Sequence, residues 1–477
     1  MKKLLMFMKD SAAVERYNSE VEKRETGVAW EENMSKSCRM MIAAITLCLL
    51  LMVGTGAKPR DVKTGKLVQD QSWLKTLRNV FVIGIPPGRV VAAAAELNPP
   101  ATPAPAVQPD PTPLPALEPP KVKGIYLTAW MTGDSRFMER IAQFIEQTEI
   151  NSVVIDVKDD TGTISYPSQA PLAKTVGSGE KKFDPHQVLK FLKARNIYPI
   201  ARIVVFKDPF LAKRRTDLAV KSAQGGLWHD FKGLCWVDPY NKTVWEYTVA
   251  IAKEAALYGF KEIQFDYVRF TSDGILRDCR YPGNDGRLKS DVIRDFLQYA
   301  YQQLNPLGIK VSADVFGLAC SAQDDLGIGQ VLEKVATGVD IVCPMVYPSH
   351  YRRGEYNLPD PDRAPYRTVY QSMMDAKRKL SKLNPERKVI MRPWLQDFSL
   401  RNRYGRAELL AQIKAVEDAG YEEYIFWNPA NKYDLGKYRS GPAKNPQIRS
   451  VPVATPSIPV VPTTPAPSPD SLPEVKP

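Results

Sequence analysis

The stretch Glu262–Phe270, "EIQFDYVRF", decides the fold. Ile263, Phe265, Tyr267, Val268 and Phe270 are β-branched, aromatic or aliphatic, the composition of a buried strand. Asp266 interrupts the run and Arg269 sits near its end. Ionised side chains are seldom buried unless they are paired or put to use. Side chains alternate along a strand, so Gln264, Asp266 and Val268 are predicted to share one face.

Similar apolar runs lie on both sides of this stretch. They are "KGIYLTAW" (Lys123–Trp130), "SVVIDVKD" (Ser152–Asp159), "YPIARIVVF" (Tyr198–Phe206), "IKVSADVFG" (Ile309–Gly317), "DIVCPMVYP" (Asp340–Pro348), "KVIMRPWLQDF" (Lys388–Phe398) and "YEEYIFWNPA" (Tyr421–Ala430). Amphipathic stretches separate them, among them "RFMERIAQFIEQTEI", "KTVWEYTVAIAKEAALYGF" and "AELLAQIKAVEDAGY". Several of these stretches close on N-I, G-F, G-I or G-Y, a helix stop followed by re-entry into a sheet. Strand–helix alternation predicts parallel βα units, and eight of them predict an α/β fold of the (β/α)₈ TIM-barrel type. An open, doubly wound sheet is the rival arrangement.

Barrels carry their chemistry at the C-terminal ends of the strands. There the second run offers Asp156 and Lys158, the third Arg202, the fourth Asp266 and Arg269, and the fifth Asp314. Tyr347 and His350 follow the sixth, Trp394 lies in the seventh, and Trp427 and Asn428 end the eighth. Asp266 and Asp314 fall on neighbouring strands, roughly 5 Å apart across the sheet. If both point inward, Trp130, Tyr166, Tyr267, Tyr347, Trp394 and Trp427 are expected to ring them. Two carboxylates among aromatic rings suit a sugar: one protonates the leaving oxygen, and the other attacks or activates water at the anomeric carbon. Catalytic roles are therefore expected for Asp266, as nucleophile or stabilising carboxylate, and for Asp314, as acid/base. Arg202, Arg269 and Tyr347 are expected to orient them, and Asp156, Lys158, His350, Trp130, Trp394, Trp427 and Asn428 to contact substrate. The structural alternative makes Asp266 the ion-pair partner of Arg202 or Arg269, and Asp156 a third acid or Arg202's partner.

Other chemistries find less support. The turns after the seventh and eighth runs, "LQDFSLRN" and "NPANKY", lack the glycine pair of a phosphate-binding barrel. A divalent metal on Asp156, Asp266 and Asp314 has no compact ligand motif behind it, so neither metal nor cofactor is expected. The net charge of +12 is compatible with an anionic cell surface, and no nucleic-acid motif accompanies it. Cys235, Cys279, Cys320 and Cys343 are scattered, with no C-x-x-C pair.

The strand-end motifs "GIYLTAW", "VVIDVKDDTG", "PIARIVVFKDP", "EIQFDYVRF", "VSADVFG", "PMVYPSHY", "RPWLQDF" and "FWNPANKY" resemble those of a glycoside hydrolase domain of bacterial envelope proteins, once catalogued as a domain of unknown function. The resemblance spans Lys121 to Tyr433, with Thr271 where the family usually has proline. It implies a TIM-barrel glycosidase-like fold related to the α-amylase-type clans. It marks Asp266 and Asp314 as site positions and leaves their division of roles open.

The flanks read differently. Residues 1–57 are an N-terminal extension with a secretory signal or signal anchor: Lys36 and Arg39 precede an apolar run from Met40 to Val53, followed by Thr55, Gly56 and Ala57. Residues 58–120 contain the spacer "NPPATPAPAVQPDPTPLPALEPP", and residues 449–477 form a second Pro-rich tail. The folded unit is expected over residues 121–448. The whole reads as an exported or envelope-anchored glycosidase cleaving an envelope or extracellular polysaccharide. The alternative is a non-catalytic carbohydrate-binding barrel that localises to the cell wall.

Overall fold

The computed structural model describes residues 121–383 and 388–441. The expected leader, Pro-rich spacer and C-terminal tail lie outside the described residues. Eight parallel strands form the centre: β1 Lys123–Leu127, β2 Ser152–Lys158, β3 Tyr198–Val204, β4 Glu262–Asp266, β5 Lys310–Phe316, β6 Ile341–Met345, β7 in two pieces, Ile390–Met391 and Trp394–Gln396, and β8 Tyr424–Trp427. Each pairs with the next, and β8 returns to β1 through Gly124 and Ile425. The ring is closed, which sets aside the open sheet.

The connecting helices are α1 Ser135–Gln147, α2 Pro185–Ala194, α3 Lys242–Tyr258, α4 Lys289–Leu304, α5 Leu332–Ala336, α6 Pro365–Leu380 and α7 Arg406–Asp418. Asp134, Asp184 and Asn241 start α1, α2 and α3 by accepting first-turn backbone N–H bonds. The stops read from sequence are real: Asn196, Gly259, Gly308 and Gly420 all take positive φ, which ends the preceding helical segment and turns the chain back to the sheet.

Alternation along the strands builds two apolar layers. Ile125, Val153, Ile155, Ile203, Ile263, Phe265 and Val315 belong to the layer beneath the helices. Tyr126, Val154, Ile200, Ile341, Cys343, Trp394 and Ile425 fill the barrel interior. Low in that interior, Arg392 Nη1 meets Glu262 at 2.7 Å while its Nε meets Glu423 at 2.7 Å. Ser312 Oγ also donates to Glu262, at 2.6 Å.

Two strand expectations need correction. β4 ends at Asp266, because Tyr267 takes φ 49° and leaves the extended region. Val268 therefore packs in the outer layer and does not share the face of Gln264 and Asp266. The seventh run is interrupted at Arg392–Pro393, where proline has no N–H for the ladder. Its first piece pairs with β6 and its second mainly with β8. The long connections after β3 and β4 are tied by a short antiparallel pairing of Lys221–Ser222 with Cys279–Arg280. The thiols of Cys235, Cys279, Cys320 and Cys343 are all free.

Candidate active site

The C-terminal end of the barrel gathers a buried ionic cluster. On β3, Arg202 sends Nη1 to Asp156 Oδ1 on β2 at 2.6 Å. Its Nη2 and Nε reach Asp266 Oδ2 on β4 at 2.5 and 3.0 Å. The backbone N–H of Tyr267 donates to the other oxygen of Asp266 at 2.6 Å. On β5, Asp314 Oδ1 accepts the indole N–H of Trp394 at 2.7 Å. Tyr126 on β1 donates its hydroxyl to Asp156 Oδ2.

Aromatic rings complete the wall. Tyr126 stacks on Trp427 with ring centroids 4.0 Å apart, and Trp427 meets Trp394 edge-on at 5.5 Å. The Arg202 guanidinium lies 5.4 Å from the Trp427 ring. Trp130, 61% exposed, stands on the short helix Ala129–Gly133 directly after β1, with the Lys182 ammonium 5.8 Å from its ring. An exposed tryptophan at the C-terminal end of a strand is a ready stacking face for a sugar.

The two central acids sit in unlike surroundings. Asp266 carries an ion pair with the Arg202 guanidinium. Asp314 has an indole N–H where Asp266 has a cation, and burial, reinforced by the charge of Asp266, pushes its carboxyl well above the usual range. Burial opposes the charge on Arg202, and Asp266 and Asp156 override it, so the guanidinium stays ionised. Burial, with Asp314 and Asp266 adding, raises the Tyr347 phenol and keeps it neutral. Unlike surroundings of two neighbouring carboxyls are how one site can distinguish an acid from a base.

Asp156 is raised to about 6 by burial, against the opposing pull of Arg202 and Tyr126. The folded state therefore holds this proton more tightly than an unfolded chain does. The stability it contributes is full below about pH 4 and is lost as pH rises through about 6, a change of about 3 kcal/mol. Urea denaturation from pH 4 to 7 checks this: the stability of Asp156→Asn relative to wild type is expected to improve by that amount across the window, and parallel curves would count against it.

Of the residues singled out in sequence, Asp156, Arg202, Asp266, Asp314, Trp394 and Trp427 come together here. Others do not. Lys158 is fully buried against Asp208 at 2.8 Å and donates to Val204 O. The register shift between Asp156 and Lys158 breaks the alternation that would have aimed it inward. Arg269 donates to Phe270 O and Ser272 Oγ rather than to an acid of the cluster. Asn428 braces the loop after β8 by donating to Lys432 O at 2.8 Å. His350 packs edge-on against Tyr347 and Phe398, and burial, helped by Arg401, lowers its ring to about 4. Tyr166 lies in the outer layer, against Phe183 and Tyr258. Tyr126 is the participant that sequence reading passed over, although it lies one residue before the end of β1 and faces the barrel interior. Among the described residues no three His, Cys, Asp or Glu side chains are grouped to hold a metal ion. Arg202 is the cation between Asp156 and Asp266.

The sequence profile of a family described as "putative glycosyl hydrolase domain" matches residues 124–433. The chain belongs to this family. That membership places it among the glycoside hydrolases, and the matched span takes in every strand of the barrel. No curated protein matches the chain. Among solved structures, a hypothetical protein from Ruminiclostridium thermocellum is 39% identical over 43% of this chain and 98% of its own, with a TM-score of 0.38. The glycoside hydrolase domain of PgaB (BpsB) from Bordetella bronchiseptica is 12% identical over 65% of this chain and 95% of its own, with a TM-score of 0.48. The glycoside hydrolase domain of PelA from Pseudomonas aeruginosa is 14% identical over 66% and 97%, with a TM-score of 0.39.

Proposed function

We propose that the barrel hydrolyses glycosidic bonds of an envelope or extracellular polysaccharide through Asp266 and Asp314, with retention of configuration. The observation that carries this reading is the unlike setting of the two acids: one ion-paired to Arg202, the other buried against an indole N–H. Pairing of β4 with β5 runs through Phe265 and Ala313, so the acids follow one rung beyond on adjacent strands. Adjacent strands stand roughly 4.8 Å apart, near the carboxyl spacing of about 5–5.5 Å that retaining enzymes use.

In the first step Asp266 attacks the anomeric carbon as the bond to the leaving oxygen breaks, and that oxygen takes the proton of Asp314. In the second, Asp314 takes a proton from water, which attacks the same carbon and releases Asp266. Arg202 balances the charge of Asp266 throughout, while Trp427 and Trp130 offer faces to neighbouring sugars. Export and attachment to the envelope belong to the same proposal, supported by the apolar leader around Met40–Val53 and the Pro-rich spacer.

One observation favours a second reading. Asp314 is only 1% exposed, which suits a barrel that holds glycan without cutting it. Incubating the wild-type protein with a panel of soluble envelope polysaccharides separates the two. Release of new reducing ends supports the hydrolase; saturable binding of a polysaccharide with no release supports the binding barrel.

A further inference from the structure

Asp266 is aimed by a device built just beyond its strand. Tyr267 adopts φ 49°, a left-handed conformation that costs a bulky side chain free energy and persists only where its surroundings enforce it. Pairing with β5 has ended at Phe265, and the Tyr267 N–H is turned to Asp266 Oδ1 at 2.6 Å. With Arg202 on Oδ2, both oxygens of Asp266 are engaged and the plane of the carboxylate is fixed.

The Tyr267 ring is caged. Lys207 Nζ lies 4.8 Å from its centroid, the Arg269 guanidinium 4.9 Å, and the Trp236 ring 5.9 Å. Each wall is itself held. Arg269 donates to Phe270 O at 3.1 Å and Ser272 Oγ at 2.8 Å, and lies 4.9 Å from Trp236 and 4.8 Å from Phe316. Lys207 pairs with Asp160 at 3.0 Å. Cations over an aromatic face are attracted by its quadrupole, so two of them pin one ring.

We infer that Arg269 and Lys207 are positioning residues for the reaction, acting through Tyr267: they hold the strained turn that orients Asp266 toward the anomeric carbon. This rests on the proposed role of Asp266 as nucleophile. The "DYVRF" motif then carries one function across its length, the acid at its head and the clamp that aims it three residues on.

The test is steady-state kinetics on a polysaccharide that the wild type degrades, with folding followed by circular dichroism. Arg269→Met keeps length and removes the cation; a misaimed nucleophile is expected to cost about ten- to hundredfold in kcat. KM should stay within about twofold, since ground-state contacts are untouched. Arg269→Lys should recover most of the loss, and Lys207→Met, on the other side of the ring, should show the same kcat-selective fall. Wild-type kcat in folded Arg269→Met or in folded Lys207→Met would overturn the inference, as would a loss that Arg269→Lys fails to recover. Asp266→Asn run alongside separates the two ideas. If it is inactive while the clamp variants are normal, only the clamp falls; if it turns over like wild type, the nucleophile assignment falls and the clamp with it.

Discussion

Asp266→Asn is expected to lower kcat by a factor on the order of 10⁴, the scale at which an enzyme loses its nucleophile. The amide fills the same space and can still accept the Tyr267 N–H, so the fold and substrate binding are expected to survive. What it cannot do is form the covalent intermediate. Binding of the polysaccharide with KM near wild type, together with the collapse of kcat, is the signature to look for, with circular dichroism confirming the fold. A modest fall in kcat would return Asp266 to its structural alternative, an ion-pair partner of Arg202 with no part in bond breaking.

The second large effect concerns stability. Arg392 is 2% exposed and is the cation between Glu262, itself fully buried, and Glu423. Arg392→Met keeps the volume but leaves two buried carboxylates facing each other. Breaking such a network by removing one partner costs about 3–5 kcal/mol. Urea denaturation at pH 7 should show a fall of that size in unfolding free energy, and adding Glu262→Gln should recover part of it by removing one orphaned charge. An unchanged midpoint would mean that the Glu262–Arg392–Glu423 network contributes nothing measurable to the stability of the barrel.

The sequence made the barrel legible because its two periodicities are clean. Runs such as SVVIDVK show little polar interruption, as strands buried on both faces do, and the helix stops at Asn196, Gly259, Gly308 and Gly420 are written in residues that accept positive φ. The acids were legible for the same reason: a carboxylate in a buried strand must be paired or used, and Asp266 is ion-paired at the end of the barrel where chemistry is expected. The errors have a common cause too. Reading Val268 as sharing the face of Asp266 and Lys158 as a cleft residue assumed that alternation continues to the end of each run. It stops at the left-handed Tyr267 and at the bulge before Lys158, and local breaks of that kind leave little trace in composition. Trp394 was expected to face sugar; its indole N–H is instead spent on Asp314, a choice of partner that no spacing rule encodes. Tyr126 was missed because an inward tyrosine looks like core until a carboxylate is found beneath its hydroxyl.

The division of labour between the two acids is the centre of this account, and Asp314→Asn tests it most directly. The measurement is kcat/KM of wild type and Asp314→Asn on two substrates sharing one sugar, one with a sugar leaving group and one with an aryl leaving group that departs without a proton. The expected result is a loss of about 10²–10⁴-fold on the sugar leaving group, as for removal of a general acid, with the aryl substrate nearly unaffected in the bond-breaking step. Equal losses on both substrates, or no loss on either, would contradict it.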